Sequence, residues 1–597
     1  MDETRAPASG AWRPATALGA LALAVFLLES LRPALGSDMR YVEACREMRA
    51  SGDWLIPHLA FVPYFEKPIL IYWLGAACQW LFGASSLASQ LPSALAASGS
   101  VVVTYLWARS WRGATFAWWT SLLLLGSGMF LAMGSILTVD PLLAVCLTTA
   151  FFACFRHDRG DGPAWIWLFW LSAALGALAK GPLAWVLIAC GIAPYLVLSR
   201  NLTLALRAVW AMRPLTGLAI LLAVNVPWWF AVWRQDHRFV EFFFIHINLQ
   251  GLTDANINHP GKPWFYLGIL AIGLLPFTIL IGPVLLSRMW AIGRATLTGA
   301  WGRLRAPRAA TSTVDQGELY LWCTVLFPLL FLSASASKLP LYILPLLPGC
   351  VLVAADGLRP LVGRPPRWMF RMLLLELLLC LPAVVIYLAW GFHPEVLQGQ
   401  THADLALLGA GLFALFMSMV LALRELARSD LVRALGWLGC GGAMAALLCG
   451  PFITDLRMTA NAAPLARYVA AHRQAGDRVV VASALAQDYE IVMALRERVQ
   501  YCGAVRELGM GHFTEVTPRD RALPARPDAI DGGNLPENRY LLSEAAMARC
   551  WVQADRIWVF SDAGLEERLR EAHLRVFEVA RTRKALLLSN RPAQDMP

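Results

Sequence analysis

Charge is what this 597-residue chain has least of. Asp, Glu, Lys and Arg make up 15% of it, against 58% hydrophobic residues, whereas soluble domains carry roughly 25% charge and 45–50% apolar residues. That balance excludes a water-soluble globular protein. No CxxC pair and no Cys/His spacing of a zinc site is present, which removes zinc fingers and ribbons. An internal repeat and a long low-complexity tract are also missing, so solenoids and fibrous arrays are excluded. Of the 12 cysteines, Cys146, Cys154, Cys190, Cys323, Cys380 and Cys440 lie in apolar runs and read as small fillers. Cys502 and Cys550 fall in a more polar tail. An oxidising compartment would allow them to pair or leave them as thiols.

What the chain has instead is a series of apolar runs near the ~20 residues that cross a bilayer. They predict a polytopic α-helical membrane protein with about thirteen spans. The net charge of +10 comes largely from arginines in short loops, among them Arg109/Arg112, Arg156/Arg159, Arg200/Arg207/Arg213, Arg359/Arg364 and Arg424/Arg428. This pattern marks cytoplasmic loops, not a nucleic-acid surface. It predicts a cytoplasmic N-terminus, with Ala15–Leu31 an uncleaved signal anchor despite the cleavage-like Ala34-Leu35-Gly36.

Counting Ile69–Gly83 as a crossing would place every later arginine cluster outside, so this short run is expected to lie at the interface. Residues 34–85 then form one external loop, with Tyr41–Ala50 a surface helix whose Glu43, Arg46, Glu47 and Arg49 face solvent. After residue 455 the pattern is that of a soluble α/β domain. Helices are expected at Ala463–Gln474, Gln487–Arg496 and Leu565–Ala572. Strands are expected at Arg478–Ala482, Arg498–Cys502, Arg556–Phe560, Leu574–Val579 and Ala585–Leu588, with a proline-rich loop over Thr517–Pro536. The expected division is a membrane domain over 1–455, including the loop 34–85, and an external domain over 456–597.

The polar residues at membrane boundaries cluster on the external side. Ser37-Asp38-Met39-Arg40-Tyr41 opens the first loop and Tyr64-Phe65-Glu66-Lys67-Pro68 ends its polar half. Leu137-Thr138-Val139-Asp140-Pro141, Lys180-Gly181-Pro182 and Ser337-Lys338-Leu339-Pro340-Leu341-Tyr342 make later external turns. Carboxylates and cations together suit an anionic ligand: the cations hold a phosphate and the carboxylates orient a nucleophile. Plainer readings stand beside this one. Each lysine also fits a residue snorkelling from a helix end, and Asp140 before Pro141 fits a helix N-cap. His259, in Asn258-His259-Pro260, could join Glu66 on a metal.

The combination Asp38-x-Arg40-Tyr41, Arg46-Glu47-Met48, Ser51-Gly52-Asp53-Trp54, Pro57 and Tyr64-Phe65-Glu66-Lys67-Pro68 resembles the first-loop signature of the lipid A aminoarabinose transferases. These are membrane glycosyltransferases of the GT-C type, akin to protein O-mannosyltransferases. The resemblance continues through Thr138-Val139-Asp140-Pro141, Lys180-Gly181-Pro182 and Ser337 to Tyr342, and covers roughly residues 14–455.

It implies a GT-C bundle with a periplasmic C-terminal domain, in the bacterial inner membrane. The implied reaction moves an amino sugar such as 4-amino-4-deoxy-L-arabinose from undecaprenyl phosphate to a lipid A phosphate. Asp38 and Asp140 are the implied catalytic carboxylates. Ser37, Arg40, Tyr41, Glu66, Lys67, Lys180, Lys338 and Tyr342 are the implied substrate-binding residues, and Glu66 with His259 the implied ligands of a divalent metal such as zinc. A hexose or hexosamine donor, or a protein or glycan acceptor, is the alternative within this class. A flippase of lipid-linked sugars is the alternative outside it.

One position departs from the family. Its usual Asp-Glu-x-Arg-Tyr reads Ser37-Asp38-x-Arg40-Tyr41 here, so the presumed catalytic Asp is a serine. A phosphomonoester acceptor is already largely anionic at neutral pH and needs positioning more than deprotonation. A hydroxyl acceptor would need a base. Ser37 therefore favours the phosphate.

Overall fold

In the computed structural model the described residues are 12–31, 38–59, 62–250, 261–305, 315–390, 402–458, 462–474, 476–482, 485, 490–495, 499–502, 541–542, 544–554, 556–582 and 585–592. The expected loop Thr517–Pro536 lies outside them. The apolar runs are helical, as a lipid setting demands, because each backbone N–H and C=O must there be satisfied within the segment. Eight described helices are long and apolar enough to cross a membrane, nine if a pair bent by 67° counts as one span. The chain is a polytopic helical membrane protein with a sheet-containing C-terminal region.

Two compact units divide it: residues 1–32, 67–71 and 90–451 in one, and 33–66, 72–89 and 452–597 in the other. In chain order the helices up to residue 235 are α1 (Trp12–Glu29), α2 (Asp38–Ser51), α3 (Leu70–Phe82), α4 (Ser86–Arg112), α5 (Ala114–Leu125), α6 (Gly128–Gly134), α7 (Val139–Asp158), α8 (Ala164–Lys180), α9 (Leu183–Ser199), α10 (Leu202–Ala211) and α11 (Pro214–Gln235). The bent pair is α5 with α6. At 13 residues, α3 reaches only about 20 Å, short of the ~30 Å hydrocarbon core.

The first unit is built around α7, which packs against α8, α9 and a 3-10 turn, Pro340–Leu346. Small residues let these helices approach, as is usual where lipid supplies no hydrophobic drive between helices. A Cβ at Gly176 of α8 would stand 3.2 Å from Ala184 Cβ and 3.5 Å from Cys146 Cβ. Farther along, Trp107 is stacked on Phe152 at 5.9–6.1 Å from its aromatic neighbours Phe155, Phe152 and Tyr320. The Tyr320 hydroxyl donates to the Phe151 carbonyl at 2.8 Å.

The second unit joins the first loop to the C-terminal domain. Its six-stranded sheet has the order β5-β4-β3-β6-β8-β7, with β3 Arg478–Ala482, β4 Gln500–Cys502, β5 Leu541–Leu542, β6 Ile557–Ser561, β7 Phe577–Arg581 and β8 Leu586–Ser589. The strands β5, β4, β3 and β6 run parallel, while β8 and β7 are antiparallel additions. Every residue of β6 and β8 is buried, as expected of interior strands covered on both faces. The five expected strands and three expected helices are all present. The short β5 and the helix Glu544–Gln553 are additional. Cys502 and Cys550 are not joined by a disulfide; the Arg478 guanidinium donates to Cys550 Sγ at 3.0 Å.

The solvated face expected on α2 is not there. Glu43 is fully buried and Glu47 is 3% exposed. Both Glu43 oxygens accept from Arg46, at 2.7 and 2.6 Å. Tyr501 on β4 is buried, and burial, reinforced by the charges of Glu47 and Glu43, pushes its phenol far above the ordinary value. The acidic residues of α2 therefore lie close to Tyr501 of the C-terminal sheet, and only the last turn of α2, at Arg49, is exposed. Replacing Glu43 by alanine leaves Arg46 without its fork and is expected to lower stability by about 3 kcal/mol. Replacing the exposed Arg49 should change it by less than about 0.5 kcal/mol. Thermal unfolding of the full chain in detergent measures both.

Candidate active site

The first-loop cluster is set by two turns. Asp53 Oδ1 accepts from the backbone of Leu55 at 2.9 Å and Ile56 at 3.1 Å, a side-chain-closed turn of the kind Asp favours. Gly52, at φ 73°, ends α2 in a conformation that costs glycine nothing. Gly52-Asp53 is thus architectural. A two-residue-strand hairpin, β1 His58–Leu59 against β2 Val62–Pro63, then delivers Tyr64 to Glu66.

Tyr64 is buried, and its hydroxyl donates to Glu66 Oε2 at 2.9 Å. Burial, with the nearby Glu66 charge adding to it, holds this phenol well above its usual range, so it remains a donor. The Arg40 guanidinium is 3.8 Å from the same Glu66 oxygen. Tyr41 stacks on Tyr72 at 5.9 Å, and Tyr64 meets Tyr72 edge-on at 6.4 Å. Arg40, Tyr41 and Glu66 are therefore brought together, with Lys67 half-buried next in sequence. Ser37 and His259 lie outside the described residues, as does the side chain of Asp38, whose backbone opens α2. Among the described residues no group of three His, Cys, Asp or Glu side chains is arranged to hold a metal. Glu66 Oε2 has a guanidinium and a phenol for neighbours, and its expected co-ligand His259 is among the residues outside the described ones.

A second cluster of polar residues lies within the first unit. Thr138 is the N-cap of α7 and Asp140 its second residue, so the N-cap reading of Asp140 is corrected. Its carboxylate sits in the first turn, where the helix dipole favours negative charge. The Lys180 ammonium, at the last residue of α8, donates to Asp140 Oδ1. Both side chains are at most 7% exposed. The same ammonium stands 4.4 Å from the centre of the Tyr342 ring, a cation–π contact strengthened by desolvation.

Gly181 turns the chain at φ 78° directly after Lys180. A Cβ there would come within 2.9 Å of Phe243 Cζ, in the π-helical stretch Glu241–Gln250. The Lys-Gly-Pro motif is thereby explained, since glycine alone allows both the turn and the close aromatic. Lys338 is buried, and its ammonium donates to the Ser335 carbonyl at the end of the helix Gln316–Ala334. Its stem passes Gly261, where a Cβ would meet Lys338 Cδ at 2.7 Å.

Sequence reasoning missed Tyr266. It belongs to the helix Phe265–Gly273 and is fully buried, beside Tyr342, Asp140 and the Leu339 backbone. Its hydroxyl has no well-formed hydrogen bond. An aromatic in an apolar run reads as core, so nothing in the sequence distinguished it.

Together these residues make a buried, charge-balanced cation with a carboxylate on one side, an aromatic face on another and a buried phenol nearby. Such a cation can meet an anion without first shedding bulk water. Removing one member of a buried ion pair strands the other, at about 3–5 kcal/mol. Lys180→Met and Asp140→Asn should each destabilise the protein by that order, and the double variant by clearly less than their sum. A thermal-unfolding double-mutant cycle measures it.

Residues 35–248 match the family described as dolichyl-phosphate-mannose-protein mannosyltransferase. A protein of Sodalis glossinidius named undecaprenyl phosphate-alpha-4-amino-4-deoxy-L-arabinose arabinosyl transferase 1 is 35% identical over 57% of this chain and 58% of its own length. A transferase of the same description from Pseudomonas savastanoi pv. phaseolicola is 33% identical over 57% and 61%. The chain thus spans about three fifths of the length of these relatives. The crystal structure of ArnT from Cupriavidus metallidurans bound to undecaprenyl phosphate superposes with a TM-score of 0.76 at 22% identity, covering 99% of this chain and 100% of that one. The apo form of that protein gives the same score at 21% identity. Family match, relatives and fold agree with the first-loop signature: the chain is similar to the aminoarabinose transferases over about three fifths of their length and shares the fold of ArnT.

Proposed function

We propose that the protein transfers 4-amino-4-deoxy-L-arabinose from undecaprenyl phosphate to a phosphate of lipid A, at the periplasmic face of the inner membrane. The observation that carries this reading is the buried Lys180 ammonium held between Asp140 and the Tyr342 ring, in a chain with the aminoarabinose-transferase signature. The arginine-rich loops support a cytoplasmic N-terminus and a periplasmic C-terminal domain.

In the proposed reaction an acceptor phosphate oxygen attacks the anomeric carbon of the sugar. The bond from that carbon to the carrier phosphate breaks, and the departing polyprenyl phosphate keeps the electron pair. Lys180 neutralises the charge that grows on it. Asp140 orients and balances Lys180, and Glu66 does the same for Arg40; neither removes a proton. This division of labour is consistent with Ser37, because an anionic acceptor requires no base. Tyr266 offers its hydroxyl to a substrate oxygen near Asp140.

The test is mass spectrometry of lipid A from the host with and without the gene, complemented by variants. An added pentosamine that disappears on deletion is expected. An added hexosamine would change the donor, and lipid A unaltered with the protein expressed would overturn the acceptor. Lys180→Ala should lower transfer at least a hundredfold, the scale of losing one charge-stabilising group. Tyr266→Phe should lower it about fivefold to tenfold, the worth of one hydrogen bond, with stability unchanged.

A further inference from the structure

Asp158 and Arg159 end α7 about 28 Å from Asp140, at 1.5 Å per helical residue. They therefore lie at the opposite membrane boundary. There the ends of α4, α7 and α9 and the start of the helix Gln316–Ala334 enclose a cavity of about 410 Å³, lined by Trp111, Arg112, Phe155, Arg159, Tyr195 and Asp315 among others. None of these residues belongs to the transferase site.

Most of the charge around the cavity is already matched. Asp158 accepts from Arg200 and, at 2.9 Å, from the Tyr195 hydroxyl. Arg112 lies 4.1 Å over the Trp111 ring and donates to Asp356 at 2.9 Å and to Asp315 at 2.5 Å. Two groups are left with capacity to spare. Arg159 is held 5.3 Å over the Phe155 ring, and among the described residues no carboxylate is within 4.0 Å of it. The Asp315 side chain is 40% exposed. Burial works against its charge, yet Arg112 and the Gly317 amide hold its carboxyl below the ordinary value. The cavity therefore presents one cation with no carboxylate partner among the described residues and one half-exposed carboxylate, already shared with Arg112 and able to accept a further donor, between aromatic walls.

Its depth is fixed by α10, which begins two residues after Arg200. No side chain of α10 is buried, and Leu202, Leu206 and Trp210 are 75%, 53% and 66% exposed. An apolar helix so exposed at a span's end lies in the headgroup layer.

We propose that this cavity binds the zwitterionic headgroup of an aminophospholipid, its phosphate on Arg159 and its primary ammonium on Asp315. A headgroup carrying only negative charge would face the Asp315 carboxylate. A choline headgroup would have no N–H to donate to it.

The experiment is native mass spectrometry of the delipidated full-length protein with dilauroyl phosphatidylethanolamine, phosphatidylglycerol or phosphatidylcholine in turn. The ethanolamine lipid should be retained at least fivefold better than either of the others. Arg159→Gln should cut its retention at least fivefold, Asp315→Asn likewise, and Arg159→Lys should keep most of it. Equal retention of the glycerol or choline lipid overturns the assignment, as does undiminished binding to Arg159→Gln. Asp315 also caps a helix, so if its variant does not fold, the wild-type lipid comparison and the Arg159 pair decide alone.

Discussion

A lysine and an aspartate taken out of water together set the terms for the rest of the bundle. Neither Lys180 nor Asp140 is tolerable alone where they sit, because each would be an uncompensated charge in a medium of low polarisability. Their union requires the first turn of α7 and the last of α8 to meet at one height. The small-residue seam around Gly176 allows this, and the left-handed turn at Gly181 fixes it. Phe243 closes over that turn and Tyr342 covers the ammonium. Four separate stretches of sequence are thus registered against a single ion pair.

The first loop uses the same device with different parts. Glu66 is to Arg40 what Asp140 is to Lys180: a carboxylate that sets the place and charge balance of a cation. Tyr64 holds the other side of Glu66, and the Asp53 turn and the hairpin hold Tyr64. Acidic residues that look like candidate bases in the sequence act in the structure as supports for cations.

The sequence was most legible where spacing carried geometry. Apolar run length marked the bundle, and the alternation after residue 455 gave every major strand of the C-terminal sheet. The first-loop string names Arg40, Tyr41 and Glu66, which lie close in sequence as well as in space. It was least legible where partners are far apart in the chain. The pairing of Lys180 with Asp140 crosses a helix hairpin, and Tyr266 reaches them from a helix whose own residues look like any other apolar run. The face of α2 was misread for the same reason. Its charges pattern as an amphipathic surface helix, and nothing local says that a sheet formed by residues 478–589 covers them.

That last contact bears on how the molecule is made. The acidic side of α2 emerges early from the ribosome, whereas Tyr501 follows some 450 residues later, on the order of half a minute at typical synthesis rates. Until then Glu43 and Glu47 have no cover, and the segment bearing Arg40 lacks the surface it rests on. Assembly of this loop is therefore necessarily late, and a chain interrupted before the sheet would leave α2 without the partner that its acidic side meets.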